Sequence, residues 1–304
     1  RRPPRSTQGV SSAASDVYKR QHITRHFHGS KVDIEELANI KKNFCSEDCT
    51  FCSQSAFFNT KITGYELPPP EEIVKQALNA KNDGAGSFCL VAAWREPSTP
   101  DFEKVCTIIE EINKKVGISV ECSLGFLTDK QAKTLKKLQV KRYNHNLETS
   151  RSKFPEICTT HTYDDRVKTL KIARNAGLEL CTGGIIGLGE TRKQREELIF
   201  EISELEPEEV TVNMLVPMPG TPLELQTQLD ITEILRVFST LRFLLPESII
   251  KISGGREVNL KDDGQKLLLS GANGIISAGY LTMGGNTVKK DTKMINEINL
   301  ETQV

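Results

Sequence analysis

Three cysteines spaced Cys45-x-x-x-Cys49-x-x-Cys52 are the residues best able to do chemistry in this chain. They lie within Asn43-Phe-Cys-Ser-Glu-Asp-Cys-Thr-Phe-Cys-Ser-Gln-Ser55. Cysteine thiolates hold iron–sulfur clusters, and a cubane of four irons takes four ligands. A tight run of three leaves one iron open to a small molecule. A cluster that only carries electrons has no use for that opening. Zinc is the competing reading, but structural zinc sites pair two short Cys/His spacings. No second C-x-x-C or H-x-x-x-H follows downstream.

Three further cysteines, Cys89, Cys122 and Cys181, fall inside β-branched runs, and Arg256 follows in Ile252-Ser-Gly-Gly-Arg-Glu257. A lone strand cysteine usually acts as a small buried hydrophobe. That reading holds for Cys106, on a helical pattern, and for Cys158, in a loop after Phe154-Pro-Glu-Ile. Three strand cysteines plus an arginine behind a Gly-Gly turn point instead to a second metal site. Pattern alone makes Arg256 an anion partner, because a guanidinium stays protonated.

The elements that must position these residues alternate along the chain. Strands are expected at Glu36–Lys42, Ser87–Ala92, Ile118–Cys122, Lys141–Leu147, Leu178–Gly183, Glu209–Leu215, Ile249–Ser253 and Gly274–Ser277. Helical patterns lie between and after them, near 70–83, 101–115, 128–138, 164–175, 191–204, 231–244, 262–270 and 291–298. Pro68-Pro-Pro-Glu-Glu opens the first helix, and Thr128-Asp-Lys-Gln131 has the form of a capping box. Repeated βα units argue for parallel strands joined by crossover helices. Eight of them give an α/β fold of the closed (β/α)8, TIM-barrel type, with an open doubly wound sheet as the alternative. The first cysteine motif then lies in the loop after the first strand, on the face where such barrels keep their chemistry. Strand residues alternate between faces, so the inner cysteines can converge inside the barrel.

The rest of the sequence sets bounds. The 304 residues carry 38% hydrophobic and 26% charged side chains, with forty basic residues balancing forty acidic ones. No basic stripe argues for nucleic acid, and no apolar run reaches the ~18 residues of a membrane span. Eight cysteines without a secretory signal read as ligands or buried thiols in a reducing compartment. Residues 1–21 are Arg/Ser/Pro-rich and lack periodicity. They resemble a translated adapter artefact more than a transit peptide, so disorder is expected there, with a barrel domain over 22–304. On that reading the natural N-terminus, with any leading helix, has been lost.

With these motifs in hand, the chain resembles the biotin synthases, a family of radical S-adenosylmethionine (SAM) enzymes. The likeness covers about residues 30–300. It rests on the first cysteine motif and on Phe88-Cys-Leu-Val-Ala-Ala-Trp-Arg95, Tyr143-Asn-His-Asn-Leu-Glu-Thr149, Cys181-Thr-Gly-Gly-Ile-Ile-Gly-Leu-Gly-Glu190, Pro217-Met-Pro-Gly-Thr-Pro-Leu223 and Ser253-Gly-Gly-Arg-Glu257. The resemblance implies a 4Fe–4S cluster on Cys45, Cys49 and Cys52 that chelates SAM. It also implies a 2Fe–2S cluster on Cys89, Cys122, Cys181 and Arg256 as the sulfur donor that turns dethiobiotin into biotin. Asn146, Glu148, Gly184 and Ile185 would bind SAM, and Asn144, Asn213 and Thr282 the substrate. Glycines let backbone approach a flat ring, though Gly183–Gly189 also reads as a strand-end turn. His145, between the two asparagines, reads as structural.

Departures from the family pattern are Glu148, where Asp is common, Ser46, and Met283, where a second Thr is common. The resemblance further implies a homodimer, a flavodoxin or ferredoxin electron donor, the iron–sulfur assembly machinery as a partner, and a cytoplasmic location (mitochondrial matrix in a eukaryote). Another radical SAM barrel, such as a hydrogenase maturase or methylornithine synthase, would share only the first motif.

Overall fold

The computed structural model of the chain describes residues 19–303. The expectation for residues 1–21 falls almost wholly outside that range; residues 19–28 are helical and lead into the first strand. The strands are β1 (Lys31–Lys41), β2 (Ser87–Ala92), β3 (Ser119–Ser123), β4 (Arg142–Asn144), β5 (Glu179–Ile186), β6 (Glu209–Met214), β7 (Ile249–Ile252), β8 (Gly274–Ile276) and β9 (Glu301–Gln303). They pair in parallel in the order β2-β3-β4-β5-β6-β7-β8-β1, and β1 also pairs with β2, which closes the barrel. The longer helices that wrap it are α1 (Pro70–Asp83), α2 (Thr99–Lys115), α3 (Asp129–Lys137), α5 (Tyr163–Asn175), α6 (Arg192–Glu204), α7 (Ile231–Leu244) and α10 (Val288–Glu297). Single turns α4 (Phe154–Ile157), α8 (Arg256–Asn259) and α9 (Gln265–Leu268) lie in the loops.

Helix starts follow local chemistry. Thr128, Thr162 and Thr191 each close a capping box with the residue three positions on. α1 begins at proline and ends at Gly84, whose φ of 102° only glycine adopts cheaply. The helical pattern expected over 262–270 shrinks to the single turn α9, which starts only after Gly264 at φ 104°.

The largest difference from expectation is β1, which begins at Lys31, five residues before Glu36. Its first half alternates Val32 and Ile34, packed in the core outside the wall, with Asp33 and Glu35, which face inward. Charged residues on the inner face hid the strand. β1 is also shared: residues 31–33 pair with β9, 33–35 with β8, and 35–41 with β2.

The barrel floor is ionic where such barrels usually stack branched apolar side chains. Lys251 of β7, fully buried, reaches Asp33 (2.9 Å), Glu35 (2.6 Å) and Glu209 (2.8 Å). Arg142 of β4 reaches Glu121 (2.5 Å), Glu209 (2.9 Å) and Glu179 (2.9 Å). Burial works against the Lys251 charge, but Asp33, Glu209 and Glu35 override it and hold the ammonium firmly protonated.

Candidate active site

Above that floor lies a cavity of about 310 Å³, opening at the C-terminal ends of the strands. The loop after β1 forms one side. Asn43 and Phe44 take left-handed φ values of 67° and 59°, which turn the chain off the strand. The amide of Cys45 donates to Gln54 O (2.9 Å), that of Ala56 to Cys45 O (2.8 Å) and that of Cys52 to Cys49 O (2.9 Å). Asn39 of β1 clamps the Gln54 side chain at 2.9 Å. Cys45, Cys49 and Cys52 all line the cavity. Burial raises Cys45 and pushes Cys52 to about 12, so both are thiols until a cation takes the proton's place.

Cys158 joins them from the loop after α4. Cys49 donates to it, and this contact with that of His161 holds Cys158 at about 4 despite burial. The ligand atoms of Cys49, Cys158 and His161 lie within 4.8 Å of one another. His161 Nε2 accepts from Arg166 Nε at 3.0 Å, so its Nδ1–H faces the Glu47 carboxylate. The sequence reads Cys158 as a plain buried thiol. Its partners are Cys49 and Asp48 of the loop after β1 together with Thr160 and His161 of its own loop, and the contact between the two loops is not a local pattern.

The opposite wall carries Asn144, Asn146, Glu148 and Ile185. Asn144 donates to Cys89 Sγ (3.4 Å), and Asn146 accepts from Thr211 (3.0 Å). Glu148 has φ 67°; its carbonyl accepts from the Ile185 amide (2.7 Å), and its carboxylate meets Arg166 at 3.3 Å. Burial pushes that carboxyl up, against the pull of Arg166. Asn213 and Thr282 also line the cavity: Asn213 accepts from the Gly254 amide (2.9 Å), and Thr282 lies 3.3 Å from Ser53.

Gly184 differs from expectation. It does not line the cavity; a Cβ there would meet Glu148 O at 2.7 Å and Leu198 at 2.9 Å. Its bare backbone makes room for the Glu148 turn. His145 packs between Phe126 and Tyr143, a structural role, although it also borders the cavity.

The inner quartet does not assemble. Cys89 lines the cavity, and Cys181 pairs in register with Asn144 and Glu209 on the same inner face. Cys122 does not join them. It pairs with Leu90 and Tyr143, belongs to the core between wall and helices, and feels Cys106 of α2. The inner position of β3 belongs to Glu121, directly opposite Cys89. Strand alternation sends neighbours to opposite faces, so Cys122 must point away once Glu121 points in. Arg256 is also elsewhere: fully buried, it donates to Asp291 (2.5 Å) and Asp263 O (3.0 Å) in the layer outside the cavity. The cation beside Cys181 is Lys251, and its three carboxylate partners occupy it.

A closed parallel barrel with three loop thiols over a cavity at its C-terminal face is the architecture of a radical SAM enzyme. The radical SAM superfamily model matches residues 39–202, and the biotin and thiamin synthesis associated domain matches 211–301. Biotin synthase of Nitrosopumilus maritimus is 72% identical over 92% of this chain and 86% of its own length. That of Cenarchaeum symbiosum is 64% identical over 92% and 88%, and that of Pelotomaculum thermopropionicum 43% over 91% and 87%. The chain belongs to the biotin synthase family. A solved methylornithine synthase (TM-score 0.83, 18% identity, 95% of this chain and 89% of that one) shares the fold alone. So does the hydrogenase maturase of Carboxydothermus hydrogenoformans (TM-score 0.82, 18%, 95% and 71%).

The residues present fit one cofactor set and not the other. Three thiols on one loop, lining a cavity beside a buried carboxylate and an arginine, suit a three-cysteine 4Fe–4S cluster with SAM, as the family implies. Three cysteines and Arg256 as ligands of a 2Fe–2S cluster do not fit, because Cys122 and Arg256 are outside the barrel interior.

Proposed function

We propose that the chain converts dethiobiotin to biotin by inserting sulfur within the barrel. The observation that carries this is the single cavity shared by Cys45, Cys49 and Cys52 with Asn144, Asn146, Glu148, Ile185, Asn213 and Thr282. When bound, a 4Fe–4S cluster on the three loop cysteines supplies the electron that cleaves SAM.

The chain's own residues do the rest of the positioning. Glu148, turned inward by its left-handed backbone, offers acceptors to ribose hydroxyls, and Ile185 offers an apolar face to adenine. Arg166 holds that carboxylate and is open to a second anionic group on the cavity side. Asn144, Asn213 and Thr282 supply neutral donors and acceptors suited to an uncharged ureido ring. Phe51, Trp94, Leu215 and Met283 line the remainder with apolar surface, which keeps water from a reactive carbon radical. No chemistry is routed through the quartet of Cys89, Cys122, Cys181 and Arg256.

An anaerobic single turnover tests this function. Reconstituted protein is mixed with SAM, dethiobiotin and a reductant, and biotin and 5′-deoxyadenosine are counted by mass spectrometry. Both products are expected. Deoxyadenosine without biotin would sink dethiobiotin as substrate, and neither product from cluster-loaded protein would sink the whole reading.

A further inference from the structure

The barrel floor holds more acid than base. Asp33, Glu35, Glu121 and Glu209 face Lys251 and Arg142, so four formal negative charges meet two positive ones in a buried layer. Buried charge left without a partner is expensive, and such a site takes up either protons or a metal cation.

The carboxylates are placed to act as ligands. Oxygens of Glu35, Glu121 and Glu209 lie within 4.8 Å of one another. Each of these residues is fully buried, gives one oxygen to Lys251 or Arg142, and leaves the other without a hydrogen-bond partner. Glu35 lines the cavity directly. Two thiols share the same inner face: Cys89 stands opposite Glu121, and Cys181 stands opposite Glu209. The unpartnered oxygens come from β1, β3 and β6, and the two inward thiols stand on β2 and β5, each directly opposite one of the carboxylates.

We infer that the inner metal centre of this chain is a mixed thiolate–carboxylate site. Cys89 and Cys181 hold an iron–sulfur core together with Glu121 and Glu35, while Lys251 and Arg142 balance the carboxylates. Iron–sulfur clusters accept non-cysteine ligands, as histidine-ligated ones do, and such ligands move their potentials. Each thiol gives up its proton on ligation, and the positive charge of the core offsets the two thiolates; Lys251 and Arg142 offset two of the carboxylates, and the others share protons. This deepens the proposed function, because it names what stands at the sulfur-supplying end of the cavity.

The test isolates the inner centre. Full-length protein with Cys45→Ala, Cys49→Ala and Cys52→Ala lacks the outer cluster, and it is reconstituted with iron and sulfide. Iron and sulfide content, absorption and Mössbauer spectra are then read. Bound iron with sulfide-to-iron absorption is expected. In that background Cys89→Ala or Cys181→Ala loses the iron, and Glu121→Gln loses it or shifts the Mössbauer signature. Cys122→Ala and Arg256→Lys leave both unchanged. Gln keeps an acceptor for Arg142, so circular dichroism should show a folded protein. Glu121→Cys adds a thiolate and moves the spectrum in the opposite sense.

No iron in the triple variant would overturn the inference and leave the floor as a self-contained ion-pair network. Loss of iron on Cys122→Ala with no change on Glu121→Gln would overturn it equally. None of these readouts depends on biotin. A failed turnover with the inner spectrum intact counts against the substrate alone, and biotin formed without inner iron counts against the centre alone.

Discussion

Glu121 and Cys122 are neighbours in β3, and the barrel wall runs between their side chains. Glu121 meets Arg142 at 2.5 Å on the inside, while Cys122 packs among core residues under the helices. Cys122→Ala is therefore a core truncation. It should cost about 1 kcal/mol, at the low end of large-to-small core changes, and leave iron content unchanged. Thermal unfolding and iron analysis of the variant check both halves.

Cys52 of the first motif and Cys158 beside it separate by role in the same kind of assay. Cys52→Ala should lose the outer cluster, whereas Cys158→Ala should keep it, since Cys158 packs on Cys49 from another loop. A Cys158→Ala protein unable to bind its outer four irons would make that residue a ligand and refute the assignment.

Much of this was legible in the sequence. Strands β2 to β8 fall within three residues of their expected starts, because their outer faces are β-branched and their turns carry capping signals. The outer motif was legible because its three ligands are local. The inner site was not. A cysteine count cannot report which face of a strand each residue takes; only the pairing of Cys89 with Glu121 fixes it. Arg256 misled for a related reason: its Gly-Gly turn places it one layer out, against Asp291, where Gly255 at φ 85° reverses the chain.

Glu148 and Arg166 form a pair that is nearly buried on both sides, at 14% and 10% side-chain exposure. Arg166→Leu strands the carboxylate and frees the Asn146 carbonyl, which accepts from the same guanidinium at 2.9 Å. A loss of about 3 kcal/mol is expected. Chemical denaturation measures it, and a variant within 1 kcal/mol of the parent (the scale of an exposed pair) would show that the pair is solvated in practice.

Gly183 and Gly84 make a controlled comparison. A Cβ at Gly183 would come within 1.8 Å of Thr211 O, a backbone atom of β6, whereas Gly84 has open space and only its φ of 102° to protect. Gly84→Ala should cost about 1–2 kcal/mol of left-handed strain. Gly183→Ala should cost more than about 3 kcal/mol or fail to fold, because the neighbouring strand must move. Denaturant midpoints rank the two.

His28 gives the fold a pH dependence. Burial, then the Arg242 guanidinium 3.2 Å away, lowers its pKa to about 4 from 6.5. The unfolded chain binds the extra proton first, so stability is lost as pH falls from about 6.5 through 4. His28→Gln should flatten that part of the stability profile, and an unchanged slope in pH-scanned denaturation would refute it.

β1 carries the loop of Cys45, Cys49 and Cys52, and one of its edges is completed only by residues 274–276 and 301–303. Pairings that far apart in sequence form late. On the ribosome, the strand that anchors the iron-binding loop therefore waits for residues 274–276 and 301–303 before its second neighbour arrives. A chain that stops before β8 would present its thiols on an unfinished wall.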